Sequence, residues 1–253
     1  MSDQALLDAI IQIARRAGEV IMEYYECKIE VDEKADGSPV TAADRAADAV
    51  IVPALRALTP DIPVVSEESV DAGDIPNVSG GTFWLVDPLD GTKEYINRNG
   101  DFTVNIGLIV DGLPKLGVLL TPVNGLAWAG GIGSGAFEED AGGARRSISV
   151  RTPDPFALVV VASRSHRSSD LEDYIAARPV KESISRGSAL KFCLVACGEA
   201  DLYPRTGPTM EWDTAAGHAV LLAAGGSMEM FEGGEFRYGK PKFLNGWFVV
   251  RGG

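Results

Sequence analysis

One stretch constrains everything else in this chain: Phe83 to Ile109, FWLVDPLDGTKEYINRNGDFTVNIGLI. Four apolar residues, Phe83 to Val86, run straight into Asp87-Pro88-Leu89-Asp90-Gly91-Thr92. A continuous apolar run of this kind reads as a buried strand, so two carboxylates sit where a core strand ends. Pro88 lacks an N–H and has a fixed φ. It is expected to stop the ladder and bend the chain until Asp87 and Asp90 face one point, freeing the Leu89 carbonyl. Gly91 permits close backbone approach, and Gly91-Thr92-Lys93 is predicted to open a short helix whose free N–H groups would receive an anion. Carboxylates and an anion share one spot when a hard cation lies between them, and oxygen donors make Mg²⁺ the default.

A lone DxxDG would be ordinary turn chemistry. Here two further acidic clusters accompany it. Ser66-Glu67-Glu68 follows the apolar run Ile62-Pro63-Val64-Val65, again a strand leading into carboxylates. Glu211-Trp212-Asp213-Thr214-Ala215-Ala216-Gly217 opens a predicted helix with Asp213 in its first turn. Three clusters shift the balance from turns to a metal site.

The charge balance then needs explaining. A formal charge of −13 argues against nucleic acid or an anionic membrane as partner. A phosphate substrate would be repelled too, unless metal ions reverse the field locally. At 253 residues the chain is long enough to bury about 70–75% of its unfolded surface. The first residues, MSDQALLDAIIQIA, carry acids where a secretory signal needs bases, and no run approaches the roughly 20 apolar residues of a membrane span. A cytoplasmic location is the default expectation. Cys27, Cys193 and Cys197 form an odd set without zinc spacing, which fits a reduced compartment. Cys193 and Cys197 share a helix face and are expected to be core.

Along the chain, Leu6, Ala9, Ile10, Ile13, Ala17, Val20 and Ile21 form one stripe on a first helix capped at Ser2 or Asp3. Val31 to Pro39 reads as a polar loop. Thr41 and Asp44 sit at the two ends of a capping box opening a second helix, so a cap is the plain role for Asp44. Pro53 is expected to kink or divide that helix. Strands are predicted at Ile62–Val65, Phe83–Val86 and Phe102–Val110, the last turning at Asp111-Gly112 into Lys115–Leu120. Short strands near Leu126–Ala129, Gly135–Phe137 and Ser147–Val150 complete a largely antiparallel sheet. From Pro153 strand and helix alternate: Leu158–Ala162, Ser169–Ala177, Leu190–Cys197, Ala200–Tyr203 and Trp212–Ala224. The fold class is therefore α+β, with an N-terminal lobe over residues 1–152 and a C-terminal α/β lobe over 153–253.

Other motifs fail on context. Gly131-Ile132-Gly133-Ser134-Gly135-Ala136 fits a dinucleotide pattern but precedes Phe137-Glu138-Glu139-Asp140 rather than a helix, and reads as a β-turn. No GxxxxGK[ST] loop occurs, and DxxDG lacks the alternating acids of an EF-hand. With only His166 and His218 in the chain, a Ser-His-Asp site would need one of them as base, and His218 among alanines reads as packed or capping.

Trp84 to Thr92 and Trp212 to Gly217 resemble the two signatures of the inositol monophosphatase-like, Mg²⁺-dependent, lithium-sensitive phosphatases. The longer string Asp87 to Asn105 is similar to the 3′(2′),5′-bisphosphate nucleotidases within that family. So are Ser163-Arg164-Ser165-His166, Gly187 to Cys193 and Leu202-Tyr203-Pro204-Arg205. The resemblance spans Thr41 to the end; Ala189 departs from it where these nucleotidases often carry a second serine. It implies a layered α-β-α-β-α fold and two to three Mg²⁺ ions. Glu67, Asp87 and the Leu89 carbonyl would hold the first, Asp87, Asp90 and Asp213 the second, and a looser third would lean on Glu67. Thr92 paired with Asp44 would orient and deprotonate the attacking water, which displaces the capping role of Asp44. Glu68 is then a supporting acid. Substrate contacts would come from Glu67, Asp90, Gly91, Thr92, His166, Gly187, Ser188, Lys191, Arg205 and Asp213. The implied reaction is hydrolysis of the 3′-phosphate of adenosine 3′,5′-bisphosphate to AMP and phosphate, a clearing step in sulfate assimilation. Inositol- or sugar-phosphate hydrolysis is the alternative, and a non-catalytic metal-binding protein is the rival of another class. Lys191 and Arg205 favour a bisphosphate, which carries a second dianion; as plain surface charges, Arg205 fits better than Lys191. The implied partner is a small nucleotide, and both monomer and homodimer stay open.

Overall fold

The apolar stripe near the N-terminus builds the first helix, α1 (Asp3–Tyr25), whose start is capped by the Ser2 hydroxyl accepting from the Ala5 amide at 3.3 Å. Its buried face includes Leu7, Ile11 and Ala14 besides Ile10, Ile13, Ala17 and Ile21, so the stripe is rotated slightly from the predicted one. The structure is a computed structural model that describes residues 1–27, 31–33, 39–163 and 168–253. Within the segment expected to be a loop, β1 (Val31–Glu33) and β2 (Pro39–Thr41) pair antiparallel; the residues between them lie outside the described set. Helix α2 (Ala42–Leu58) follows. Pro53 does not divide it: Pro53 and Ala49, whose carbonyl loses its i+4 donor, both lie on the exposed face, where water can replace the missing bond.

The predicted antiparallel sheet has seven strands: β3 (Val64–Ser66), β4 (Thr82–Asp90), β5 (Thr103–Val110), β6 (Leu113–Thr121), β7 (Leu126–Gly131), β8 (Gly135–Glu139) and β9 (Arg145–Ile148). They lie in sequence order, and only β3 with β4 is parallel. Two short helices interrupt the strands, α3 (Glu67–Asp71) and α4 (Thr92–Ile96). The Gly131–Ala136 motif is the β7–β8 turn. A second sheet is built from β10 (Leu158–Ser163), β11 (Val180–Arg186), β12 (Leu202–Arg205), β13 (Ser227–Met230) and β14 (Phe248–Arg251), in the order β11-β10-β12-β14-β13. Helices α5 (Ser169–Ala176), α6 (Leu190–Ala196) and α7 (Glu211–Ala223) belong to this half. Strands β11, β13 and β14 and helix α3 were not anticipated. The charged edge strand β11, VKESISR, offers no apolar signal because it is mostly exposed.

The layering follows from alternation. Along β4, Trp84 and Val86 enter a core shared with α1 and α2, while Phe83 and Leu85 enter a core shared with α6 and α7. Both faces of the strand are buried, which is why its sequence is continuously apolar. The second sheet closes the α6–α7 layer from the other side, and Tyr174 and Ile175 of α5 pack on its far face against Val160, Leu202 and Val249. The result is the α-β-α-β-α arrangement. No described helix is long and apolar enough to cross a membrane.

Helix α7 can lie this close to the first sheet only because the facing residues are small. A Cβ on Gly107 would come within 2.8 Å of Ala215 Cβ, and one on Gly117 would overlap the Ala216 carbonyl. The small run Ala215-Ala216-Gly217 is thus a packing device. It sets the first turn of α7, with Asp213, beside the end of β4.

His218 lies deeper in α7, 3% exposed, with Nδ1 3.1 Å from the Tyr238 hydroxyl, and is packed rather than catalytic. Burial, assisted by the Lys240 charge, pushes it down to about 3 from 6.5. The fold therefore holds the neutral ring. This contribution is fully present above pH 6.5 and is lost as pH falls toward about 3, because the unfolded chain takes up a proton that the fold excludes. Near pH 5 the loss is about 2 kcal/mol. Between about pH 7.5 and pH 5 in EDTA, wild-type Tm should fall by roughly 4–8 °C more than that of His218→Asn. Parallel pH profiles would refute this assignment.

Candidate active site

The site begins with an irregularity. The β4–β5 register runs evenly from Thr82 opposite Val110 to Asp87 opposite Asn105, then jumps to Asp90 opposite Thr103. Pro88 was expected to stop the strand. Instead it sits in a β-bulge, where a missing N–H breaks no ladder bond, and the strand resumes through Asp90. The bulge folds back on itself, since Asp87 Oδ1 accepts from the Leu89 amide at 3.0 Å. Gly91 then takes a left-handed conformation, φ 96°, with Asp101 O 3.1 Å from where a Cβ would stand, and α4 starts at Thr92.

Around this bulge the chain gathers its acids. Glu67 enters from the start of α3 and Asp213 from the first turn of α7. Burial raises Asp87 well above the usual carboxylate range, and the charges of Glu67, Asp90, Asp213 and Asp44 raise it further. Asp213 is raised by burial and then by Asp90 and Glu67. Burial also raises Asp90, opposed by Lys191 and by two hydrogen bonds. The three aspartates divide their oxygens alike. Asp87 Oδ1 takes the Leu89 amide, Asp90 Oδ2 the Ala189 amide at 2.6 Å, and Asp213 Oδ2 the Met210 amide at 2.8 Å. The second oxygen of each receives no hydrogen bond among the described residues. Mutually repelling carboxylates, each pinned by one oxygen and open at the other, with a peptide carbonyl beside them, form an all-oxygen donor set that fits a hard divalent cation.

Asp44 serves both Thr41 and Thr92. Its Oδ2 accepts from the Thr41 amide at 2.8 Å and the Thr41 hydroxyl at 2.6 Å, completing the capping box of α2. Its Oδ1 lies 3.3 Å from Thr92 Oγ1, which is also 3.4 Å from the Leu89 carbonyl. Capping is therefore not displaced. One oxygen holds the helix while the other faces Thr92.

The opposite wall comes from the second half of the chain and encloses, with the acids, a cleft of about 390 Å³. Asp101 fixes the approach to this wall, accepting from Arg186 Nη1 at 3.0 Å and from the Gly187 amide at 3.4 Å. Gly187 packs so tightly that a Cβ would lie 2.5 Å from Glu94 Cγ. Ser188 sits at φ 46°, and Lys191 Nζ turns back to donate to the Ser188 carbonyl. Lys191 is buried, and burial brings it down to about 8 despite the pull of Asp90, with Arg205 adding to the fall. Arg205 was the better candidate for an exposed charge, but it is 7% exposed: β12 carries it inward. It donates to the Pro208 carbonyl at 3.0 Å, and its buried Nε has no partner among the described residues. Two buried cations with no carboxylate in salt-bridge contact among the described residues make an anion-attracting zone in the same cleft as the acids. His166 lies outside the described residues.

Asp101 and Asn105 were missed as contributors. Both lie inside the string Asp87 to Asn105, but their partners are set by tertiary pairing that local pattern does not show. Asn245, equally unforeseen, holds the start of α7 by donating to the Met210 carbonyl at 2.7 Å and to Thr214 Oγ1 at 3.2 Å.

A family model described as the inositol monophosphatase family matches residues 2–247. The protein named 3′(2′),5′-bisphosphate nucleotidase CysQ from Escherichia coli (strain K12) is 48% identical over 248 residues, covering 97% of this chain and 99% of its own. The protein of that name from Buchnera aphidicola is 41% identical over 250 residues, with 97% and 93% covered. Among solved structures, CysQ from Bacteroides thetaiotaomicron superposes with TM-score 0.81 at 40% identity, covering 99% of this chain and 98% of that one. An inositol monophosphatase from Anabaena gives TM-score 0.79 at 28% identity, covering 99% and 91%.

Proposed function

The chain belongs to the inositol monophosphatase family and is a phosphatase, and we propose that its reaction is Mg²⁺-dependent removal of the 3′-phosphate of adenosine 3′,5′-bisphosphate, leaving AMP and inorganic phosphate. The observation that carries this is the pairing of two opposite charge zones in one cleft. Asp87, Asp90 and Asp213 each keep one oxygen for a cation, and across from them Lys191 and Arg205 are buried, donating to carbonyls and making no salt bridge among the described residues. A phosphomonoester with a second phosphate suits both zones at once. The greater likeness to nucleotidases than to inositol monophosphatases supports the same substrate.

In this proposal Glu67, Asp87 and the Leu89 carbonyl hold one Mg²⁺, Asp87, Asp90 and Asp213 a second, and Glu67 supports a looser third. Bound there, the cations supply acidity to a water and neutralise charge on the phosphoryl group and leaving oxygen. The chain's own residues do the rest. Thr92 Oγ1 donates to Asp44 Oδ1 and so turns its lone pairs to the water, whose proton passes toward Asp44. Gly91 and Thr92 face the reacting phosphate. Gly187, Ser188, Lys191, Arg205 and His166 receive the adenosine and its 5′-phosphate, and binding there places the 3′-phosphate at the acids. Residues 1–152 then act as the lobe that carries most metal ligands, and 153–253 as the lobe that brings substrate contacts and Asp213. Lithium inhibition and a cytoplasmic setting belong to the same proposal.

Phosphate release over a panel of adenosine 3′,5′-bisphosphate, inositol 1-phosphate and a simple sugar phosphate is the direct test. A preference for inositol 1-phosphate would overturn the substrate assignment. Thr92→Ala and Asp44→Asn should each lower kcat by about 10²–10⁴-fold with little change in KM, the range for positioned proton transfer. Asparagine at position 44 keeps an oxygen to cap α2. The double variant should be no worse than the worse single one. Losses confined to Tm would leave Asp44 as a helix cap alone.

A further inference from the structure

Two buried polar atoms on β5 lack partners among the described residues, Thr103 Oγ1 and Asn105 Oδ1, and both residues sit opposite the bulge that carries Asp87 and Asp90. Asn105 is 1% exposed. Its Nδ2 donates to Asp90 Oδ2 at 3.2 Å, the oxygen that also receives the Ala189 amide. Its backbone pairs with Asp87. The neutral amide thus donates to one acid from the strand position opposite another, with a donor used and its acceptor without a partner among the described residues.

We propose that Asn105 is a positioning residue for the cation site. Its Nδ2 fixes Asp90 Oδ2 so that Oδ1 is the oxygen offered to Mg²⁺, and its Oδ1 is an acceptor reserved for water that enters with the cation. This rests on the metal assignment above. The chemistry explains the residue type. An acid here would add a like charge beside Asp87 and Asp90, and an apolar side chain would leave Oδ2 held by the Ala189 amide alone. The Ala189 amide that shares Oδ2 belongs to the turn between Ser188 and Lys191, so the orientation of Asp90 also connects the metal side of the cleft to its cationic wall.

The test is Mg²⁺ titration of the full chain read two ways, by phosphate release and by thermal melting without substrate. Asn105→Leu keeps the branched shape in a larger side chain and removes both polar atoms; Asn105→Ala leaves room for water in case leucine prevents folding. In whichever variant melts cooperatively, the Mg²⁺ midpoint should rise by at least about 10-fold in both readouts, the usual effect of removing a partner of a metal ligand. KM for substrate at saturating Mg²⁺ should change little. A midpoint equal to wild type overturns the proposal, as does failure of both variants to fold, which would make Asn105 a folding residue. A wild type whose melting ignores Mg²⁺ instead overturns the metal assignment itself, and with it this role.

Discussion

Replacing Asp87 or Asp213 with asparagine is expected to cut turnover by about 10²–10³-fold, or roughly 3–4 kcal/mol of transition-state stabilisation, while raising Tm in EDTA. The two effects have one cause. Asp87 is 2% exposed and raised by burial and by four neighbouring acids. A carboxylate whose folded pKa lies above its unfolded value costs stability as pH rises through that window, so at neutral pH without metal the charge works against the fold. Asparagine removes the charge and keeps the local bonds, since one amide oxygen can still accept from Leu89 at position 87 or from Met210 at position 213. Tm in EDTA should rise by at least about 2 °C, the shift that ~1 kcal/mol produces in a chain of this size. In Mg²⁺ the order reverses. Wild type should gain about 2.7 kcal/mol when the ion is at a hundred times its Kd, and the variants should lose most of that gain. Melting curves in EDTA and in Mg²⁺ therefore cross between wild type and variant. Wild-type turnover at limiting Mg²⁺, or a variant Tm below wild type in EDTA, would return both acids to turn and cap roles.

What local sequence could reveal here was what depends on local chemistry. The run Phe83–Val86 announces a buried strand because both of its faces are covered, and Thr41 with Asp44 announces a helix start because a capping box is a four-residue device. Pro88 misleads for a physical reason. Proline excludes a regular ladder position, but a bulge has positions without a ladder bond, and only the partner strand decides which applies. The same holds for Arg205. A charged residue at the end of β12 looks exposed until α6 and β14 are placed around it. Asp101 and Asn105 carry no local signature because their partners lie 86 and 15 residues away. The acidic clusters were visible one by one, and their convergence is a product of the close packing of α7 on Gly107 and Gly117.

The second large effect separates substrates. Lys191→Ala should lower kcat/KM for adenosine 3′,5′-bisphosphate by about 10–100-fold, the equivalent of roughly 1.5–3 kcal/mol for a hydrogen bond to a charged group. Hydrolysis of a simple sugar monophosphate should change little. The asymmetry comes from where Lys191 sits. It is 5% exposed on α6, its Nζ bonded to the Ser188 carbonyl and 5.3 Å from the Tyr203 ring centroid, with no carboxylate in salt-bridge contact among the described residues. Holding a buried ammonium beside Arg205 is unfavourable for the free protein, which is why burial takes Lys191 down to about 8. A dianionic group arriving between Lys191 and Arg205 removes that conflict and favours the charged form of the lysine. Only a substrate with a second phosphate brings such a group, so only that substrate should lose when the lysine is removed. The loss should appear in kcat as well as KM, because energy from the remote phosphate is used to place the reacting one. Equal losses on both substrates with a lowered Tm would make Lys191 a structural brace for the Ser188 turn. Equal losses accompanied by an unchanged Tm would instead place Lys191 at the reacting phosphate, which both substrates carry.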